Sequence, residues 1–129
     1  MILLDTHIFV FWVNGSKQLR PSTQAVIDAE PEAILVSAIT LWEIAKLVQL
    51  GRLILTSPVE DWLDQALAYP LVQVVPLSPA VAIESTRLPP PFHKDPADEI
   101  IVATARLLNC PLLTYDGKIL GYPFVATSI

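Results

Sequence analysis

Ala33-Ile34-Leu35-Val36-Ser37-Ala38-Ile39-Thr40-Leu41-Trp42-Glu43-Ile44-Ala45-Lys46-Leu47-Val48-Gln49-Leu50-Gly51 reads as a buried strand feeding directly into a helix. Residues 33–36 are apolar without alternation and too few for a helix, the pattern of a strand covered on both faces. Ser37 supplies an N-cap, the residues to about Leu50 tolerate a helix, and Gly51 can end it. Residues 2–4, 71–75 and 112–115 are short apolar runs of the same kind. Helix starts lie between them. Ser57-Pro58-Val59-Glu60 has the form of a capping box with proline at the first helical position, and Ser78-Pro79 repeats the cap and proline. Asp95-Pro96 begins a helix predicted to reach about Asn109, before Pro111, and two more helices are predicted over His7–Val13 and Pro21–Ala29. The prolines of Leu88-Pro89-Pro90-Pro91-Phe92 make a stiff, extended connector, and Phe124-Val125-Ala126-Thr127 reads as a last edge strand. The alternation of strand and helix predicts an α/β fold with a central, mainly parallel sheet and helices on both faces.

With 129 residues, one domain spanning 1–129 is expected, large enough to bury a core without disulfides. Apolar residues make up 53% and charged ones 16%, so some apolar side chains are expected to face a partner rather than water. No apolar run approaches the roughly 20 residues of a membrane span. The N-terminus has no basic segment, and Asp5 interrupts its apolar run, which argues against a signal peptide. The lone Cys110 excludes an intrachain disulfide and suits a reducing cytosol, so a cytoplasmic location is expected. The net charge of −5 does not attract a polyanion, and the eight basic residues are scattered. If the partner is a nucleic acid, local cations or bound metal must bring the phosphates in.

In a parallel α/β sheet, ligands bind beyond the carboxyl ends of the strands, which directs attention to acids where a strand has just finished. Asp5 and Asp116 stand there, Asp98 lies in the first turn of the helix begun by Asp95-Pro96, and Glu43 lies about two turns into the helix after the second strand. Four carboxylates could thus meet at one rim. Two unit charges about 4 Å apart repel by roughly 4 kcal/mol at an effective dielectric near 20, so such a meeting calls for a cation. Oxygen-only ligands favour hard ions such as Mg²⁺ or Mn²⁺, and no Cys/His set has the spacing of a zinc site. The acids other than Asp5 also have a structural reading: Asp95 as an N-cap, Asp98 within a capping box, Glu43 on a wet helix face, and Asp116-Gly117 as a turn. Asp5 has no such motif.

Four stretches, Leu3-Leu4-Asp5-Thr6-His7, Val36 to Ala45, His93-Lys94-Asp95-Pro96-Ala97-Asp98 with Ile101 to Ala105, and Leu112-Leu113-Thr114-Tyr115-Asp116, together resemble the PIN-domain family. The resemblance covers essentially the whole chain and is strongest to VapC-type toxins of prokaryotic toxin–antitoxin pairs. It implies a three-layer α/β/α sandwich, metal-dependent endoribonuclease activity on RNA, homodimers, and inhibition by a cognate antitoxin protein. It also implies that Asp5, Glu43, Asp98 and Asp116 are the catalytic acids and bind Mg²⁺, or Mn²⁺, directly or through water. Thr6, Thr114 and Asp95 are candidate supports for them. Glu99 departs from the pattern, because relatives often carry Arg directly after the Asp-Pro-x-Asp segment.

His93 and His7 read as histidines that hydrogen-bond to backbone. Trp12, Trp42 and Trp62 fall at helical positions, which favours core packing or a dimer or antitoxin groove over base stacking. Three other functions fit parts of the pattern. The same fold could serve an RNA-processing nuclease without an antitoxin, or a catalytically silent binding module. A receiver-like or phosphatase domain also gathers aspartates at strand ends, but it usually needs a strand-end lysine that this sequence does not offer convincingly.

Overall fold

The structure, a computed structural model, describes residues 1–128. It contains β1 (Ile2–Leu4), α1 (Thr6–Val13), α2 (Pro21–Asp28), β2 (Ile34–Ser37), α3 (Ala38–Gln49) and α4 (Val59–Leu67). There follow β3 (Val72–Val75), α5 (Pro79–Ser85), α6 (Pro96–Leu108), β4 (Leu112–Leu113), α7 (Gly117–Leu120) and β5 (Thr127–Ser128). The strands form one sheet in the order β3-β2-β1-β4-β5, and every pairing is parallel.

The pleat sorts the apolar runs between two cores. Ile2 and Leu4 of β1, Ile34 and Val36 of β2, and Leu113 of β4 face one cluster with Ile8, Phe9, Ile27, Ile44 and Trp62. Their neighbours Leu3, Leu35 and Leu112 face the other, with Ile101, Val102, Ala105 and Ile119. Successive side chains on a strand point to opposite faces, so a continuous apolar run is what a sheet with helices on both sides requires. The result is the expected α/β/α sandwich.

Local chemistry sets the helix ends. The Ser37 hydroxyl accepts from the Ile39 N–H at 3.2 Å, Ser78 accepts from Val81 at 3.2 Å, and Asp95 accepts from Asp98 at 3.0 Å. Asn109 closes α6 in the left-handed region at φ 50°, and Gly51 follows α3 at φ 70°. The box at Ser57 does not form. Pro58 keeps an extended ψ of 146°, the helix starts one residue later at Val59, and the Ser57 hydroxyl is out of register with the first helical N–H groups.

Two strand expectations need correction. The run 71–75 is not buried on both faces: β3 is an edge strand with β2 as its neighbour, and Gln73 and Val74 are exposed. Val72 and Val75 alone reach the two cores. The last strand is Thr127–Ser128 rather than 124–127, because Leu112 and Leu113 pair in register with Thr127 and Ser128. Phe124 instead packs edge-on against Tyr122, at 5.5 Å between ring centroids. Among the described residues no helix is long and apolar enough to cross a membrane.

Candidate active site

β1 continues to β2 and β3 on one side, whereas β4 lies on its other side, so the strand order reverses between β1 and β4. Crevices in open α/β sheets form beyond the carboxyl ends at such a reversal. A cleft of about 350 Å³ lies there, lined among others by Asp5, Glu43, Asp95, Asp98 and Asp116.

Asp5 leaves β1 and caps α1. It is 2% exposed, and its Oδ1 accepts from the Thr6 N–H at 2.8 Å. The Thr114 hydroxyl donates to Asp5 Oδ2 at 2.7 Å and accepts from the Asp116 N–H at 3.0 Å, so one side chain ties the ends of β1 and β4 together. Each Asp5 oxygen carries one hydrogen bond and keeps a lone pair. The Asp116 Oδ1 caps α7, accepting from Lys118 at 2.8 Å. The turn reading of Asp116 and its place on the cleft therefore coexist.

Glu43 projects from α3 one turn after Thr40. The Thr6 hydroxyl donates to Glu43 Oε1 at 2.5 Å and lies 2.9 Å from the Thr40 hydroxyl. Thr6 has one proton and it goes to the carboxylate, so Thr40 must donate to Thr6. A relay of two buried hydroxyls thus fixes the acid. Burial and then the charges of Asp5, Asp98 and Asp95 push the Glu43 carboxyl above the usual range, and the Thr6 bond partly offsets them. Asp98 is raised likewise, by burial first and by Asp5, Asp95 and Asp116, against the lowering effect of His93.

His93 does not bond to backbone as expected. Its Nε2 lies 2.6 Å from Asp98 Oδ2. Phe92 stacks on His93 at 4.4 Å and meets Tyr122 edge-on, while the Tyr122 hydroxyl donates to the Pro89 carbonyl, so the proline-rich connector anchors this histidine. His7 does meet backbone, though from α1 rather than a loop: its Nε2 accepts from the Tyr115 N–H at 2.9 Å. Sequence reasoning missed Thr40 and the His93–Asp98 pair. Glu99 does not line the cleft; it sits in the first turn of α6, where negative charge favours the helix dipole.

The tryptophans divide. Trp62 is buried, donates from Nε1 to Asn14 Oδ1 at 2.8 Å and meets Phe9 edge-on. Trp12 is partly buried beside Tyr69. Trp42 is 59% exposed, so core packing is excluded for it; it stands with Ile39, Pro96 and Ala97 next to Glu43 and Asp95.

The cleft's donors are carboxylate and hydroxyl oxygens, which suit a hard divalent ion and not a soft one. Among the described residues no three acidic, histidine or cysteine side chains are close enough to enclose one ion directly. An all-protein cage is therefore excluded among the described residues, and a hard divalent ion would be held here by one or two carboxylates with the rest of its shell water. Burial of like charges, which raises Glu43 and Asp98, is the strain such an ion would relieve.

Residues 2–124 match the PIN domain family. A ribonuclease of Mycobacterium tuberculosis, VapC22, is 34% identical over 118 residues, covering 92% of this chain and 88% of its own. Among solved structures, FitAcB from Neisseria gonorrhoeae superposes with a TM-score of 0.70 at 25% identity, over 100% of this chain and 97% of the other. A toxin–antitoxin complex from Klebsiella pneumoniae gives 0.69 at 21% identity, with 100% and 97% coverage, a likeness of fold.

Proposed function

Because this chain belongs to the PIN-domain family, we propose that it is a Mg²⁺- or Mn²⁺-dependent endoribonuclease of the cytoplasm, the toxin of a toxin–antitoxin pair. The observation that carries the reading is the convergence of Asp5, Glu43, Asp98 and Asp116 on one cleft at the strand-order reversal. A receiver-like site would need a lysine among those lining residues, and none is there among the described residues. An idle binding module would gain nothing from burying like charges that raise Glu43 and Asp98.

One or two of Asp5, Glu43, Asp98 and Asp116 would hold the ion directly and the others through its waters, with Asp95 at the rim. When bound, the ion supplies Lewis-acid activation of water and neutralises charge on the phosphoryl oxygens. The protein's own groups do the positioning. Thr114 and the Thr6 N–H fix both Asp5 oxygens, Thr6 and Thr40 fix Glu43 Oε1, and His93 fixes Asp98 Oδ2. Glu43 Oε2, which Thr6 leaves free, is placed to accept a proton from the attacking water. The water's oxygen then bonds to phosphorus as the ribose oxygen leaves.

The companion antitoxin and homodimer belong to the same proposal. Exposed Trp42, beside Glu43 and Asp95, is an apolar anchor of the kind that protein interfaces bury. Inducible expression of the chain in a bacterium tests the toxin role. Growth should stop with loss of intact RNA and resume when the cognate antitoxin is co-expressed. Unchanged growth and RNA at high expression of folded protein would contradict it.

A further inference from the structure

Of the cleft acids, Asp5, Asp95 and Asp116 cap helices and Asp98 lies in a first turn. Helices α1 and α3 both start where a parallel strand ends, and the lining continues along each by one turn, from His7 to Val10 and Phe11 and from Glu43 to Leu47. Leu53 and Arg52 complete the wall, and among the described residues Arg52 is the one lysine or arginine that lines the cleft.

The end of α3 puts it there. Gly51 takes φ 70° and donates to the Val48 carbonyl at 3.1 Å, while the Arg52 N–H donates to the Leu47 carbonyl at 2.9 Å. These two bonds make a Schellman closure, which turns the chain back over the last helical turn. Arg52 is thereby fixed by backbone to the helix that carries Glu43. From Glu43 to the helix end at Leu50 is about 10 Å along the axis at 1.5 Å per residue.

Three of the other basic side chains are engaged, and none of the other seven lines the cleft among the described residues. Arg106 pairs with Glu84 and donates to the Phe124 carbonyl, Lys46 donates to Gln49, and Arg20 stacks over Tyr115 at 4.4 Å. Among the described residues the Arg52 guanidinium has no ion-pair or hydrogen-bond partner, although it shares a cleft with several carboxylates. A guanidinium that pairs with none of those acids, fixed just past the end of α3 beside the apolar wall, is placed for an anion that reaches from it to the acid cluster. An acidic peptide would meet the carboxylates of that cluster. A nucleic acid brings one phosphate to the cation site and another to the arginine.

We propose that Arg52 is a substrate-binding residue that grips a backbone phosphate of single-stranded RNA neighbouring the phosphate at the acid cluster. The apolar wall of Phe11, Leu47 and Leu53 takes the sugar and base between them. This proposal rests on the ribonuclease reading and adds the direction in which the RNA leaves the site.

The test is the salt dependence of binding of a labelled 12-nucleotide RNA of mixed sequence, with Ca²⁺ present, to wild type, Arg52→Gln and Arg52→Lys. Each phosphate contact to a single strand contributes about −0.7 to the slope of log K against log salt, or roughly fivefold in affinity near 0.1 M salt. Arg52→Gln should lower the slope by about 0.7 and weaken binding about fivefold near 0.1 M salt, with an unchanged melting temperature. Arg52→Lys should keep the slope. An unchanged slope in Arg52→Gln, with wild type binding normally, overturns the proposal and leaves the ribonuclease reading intact, as does a loss confined to antitoxin binding. Wild type that fails to bind the RNA overturns both.

Discussion

Thr6→Val should reveal whether the two-hydroxyl relay holds Glu43. Valine keeps the shape of threonine and removes the one proton that reaches Glu43 Oε1. A hydrogen bond to a charged group is worth about 1.5–3 kcal/mol, and a buried hydroxyl left without its acceptor costs about 1–3 kcal/mol. Thr40 is 0% exposed and would be that hydroxyl. Valine's additional apolar contact returns some of the loss, so Thr6→Val should cost about 2–4 kcal/mol. Thr40→Val removes only a neutral bond, at a cost of about 1 kcal/mol. The double variant leaves no stranded hydroxyl and should be no less stable than Thr6→Val alone, a coupling of about 1–2 kcal/mol. Urea unfolding at constant m-value measures all four corners of the cycle. Costs that simply add, within about 0.5 kcal/mol, would refute the relay.

Acidification tests the buried acids. Glu43 and Asp98 are both raised in the folded state, so the folded protein binds their protons more tightly than the unfolded chain. The stability they contribute is full below the ordinary carboxylate range and is lost as pH rises through their folded values. Metal-free protein should therefore melt higher at about pH 5 than at about pH 7, and saturating Mn²⁺ should shrink that difference; a lower melting temperature at the acid pH would contradict it. Trp62→Ala should cost about 3–5 kcal/mol, whereas Trp42→Ala should stay within about 0.5 kcal/mol of wild type, both read by urea unfolding. Equal costs would mean that exposure misjudges their roles. Gly51→Ala should lose about 1–2 kcal/mol, since φ 70° is strained for alanine even though no atom lies within 4 Å of the new Cβ.

Much of this architecture is written locally. Ser37, Ser78 and Asp95 cap their helices with atoms two or three residues away, so the motif and the geometry coincide. Ser57 shows the limit, because the helix start there depends on the ψ of Pro58, which residue types do not fix. The apolar run at 71–75 identified a strand but not its place at the sheet edge, which is set by pairing with β2 alone. Asp5 and Asp116 were legible as strand-end acids. Thr6 and Thr114 stood out as supports only through the family resemblance and Thr40 not at all: the contacts Thr114–Asp5, Thr6–Thr40 and Thr6–Glu43 span 109, 34 and 37 residues and have no local signature. His93 and Asp98 are only five apart, yet their pairing depends on Phe92 and Tyr122 holding the connector.

The most direct test of the account is cleavage of an end-labelled structured RNA by purified wild type and Asp98→Asn, each with Mg²⁺, Mn²⁺ or EDTA. Wild type should cut with either ion and not with EDTA, and a folded Asp98→Asn should not cut under any condition. Cutting that persists in EDTA, or in Asp98→Asn at the wild-type rate, would contradict it.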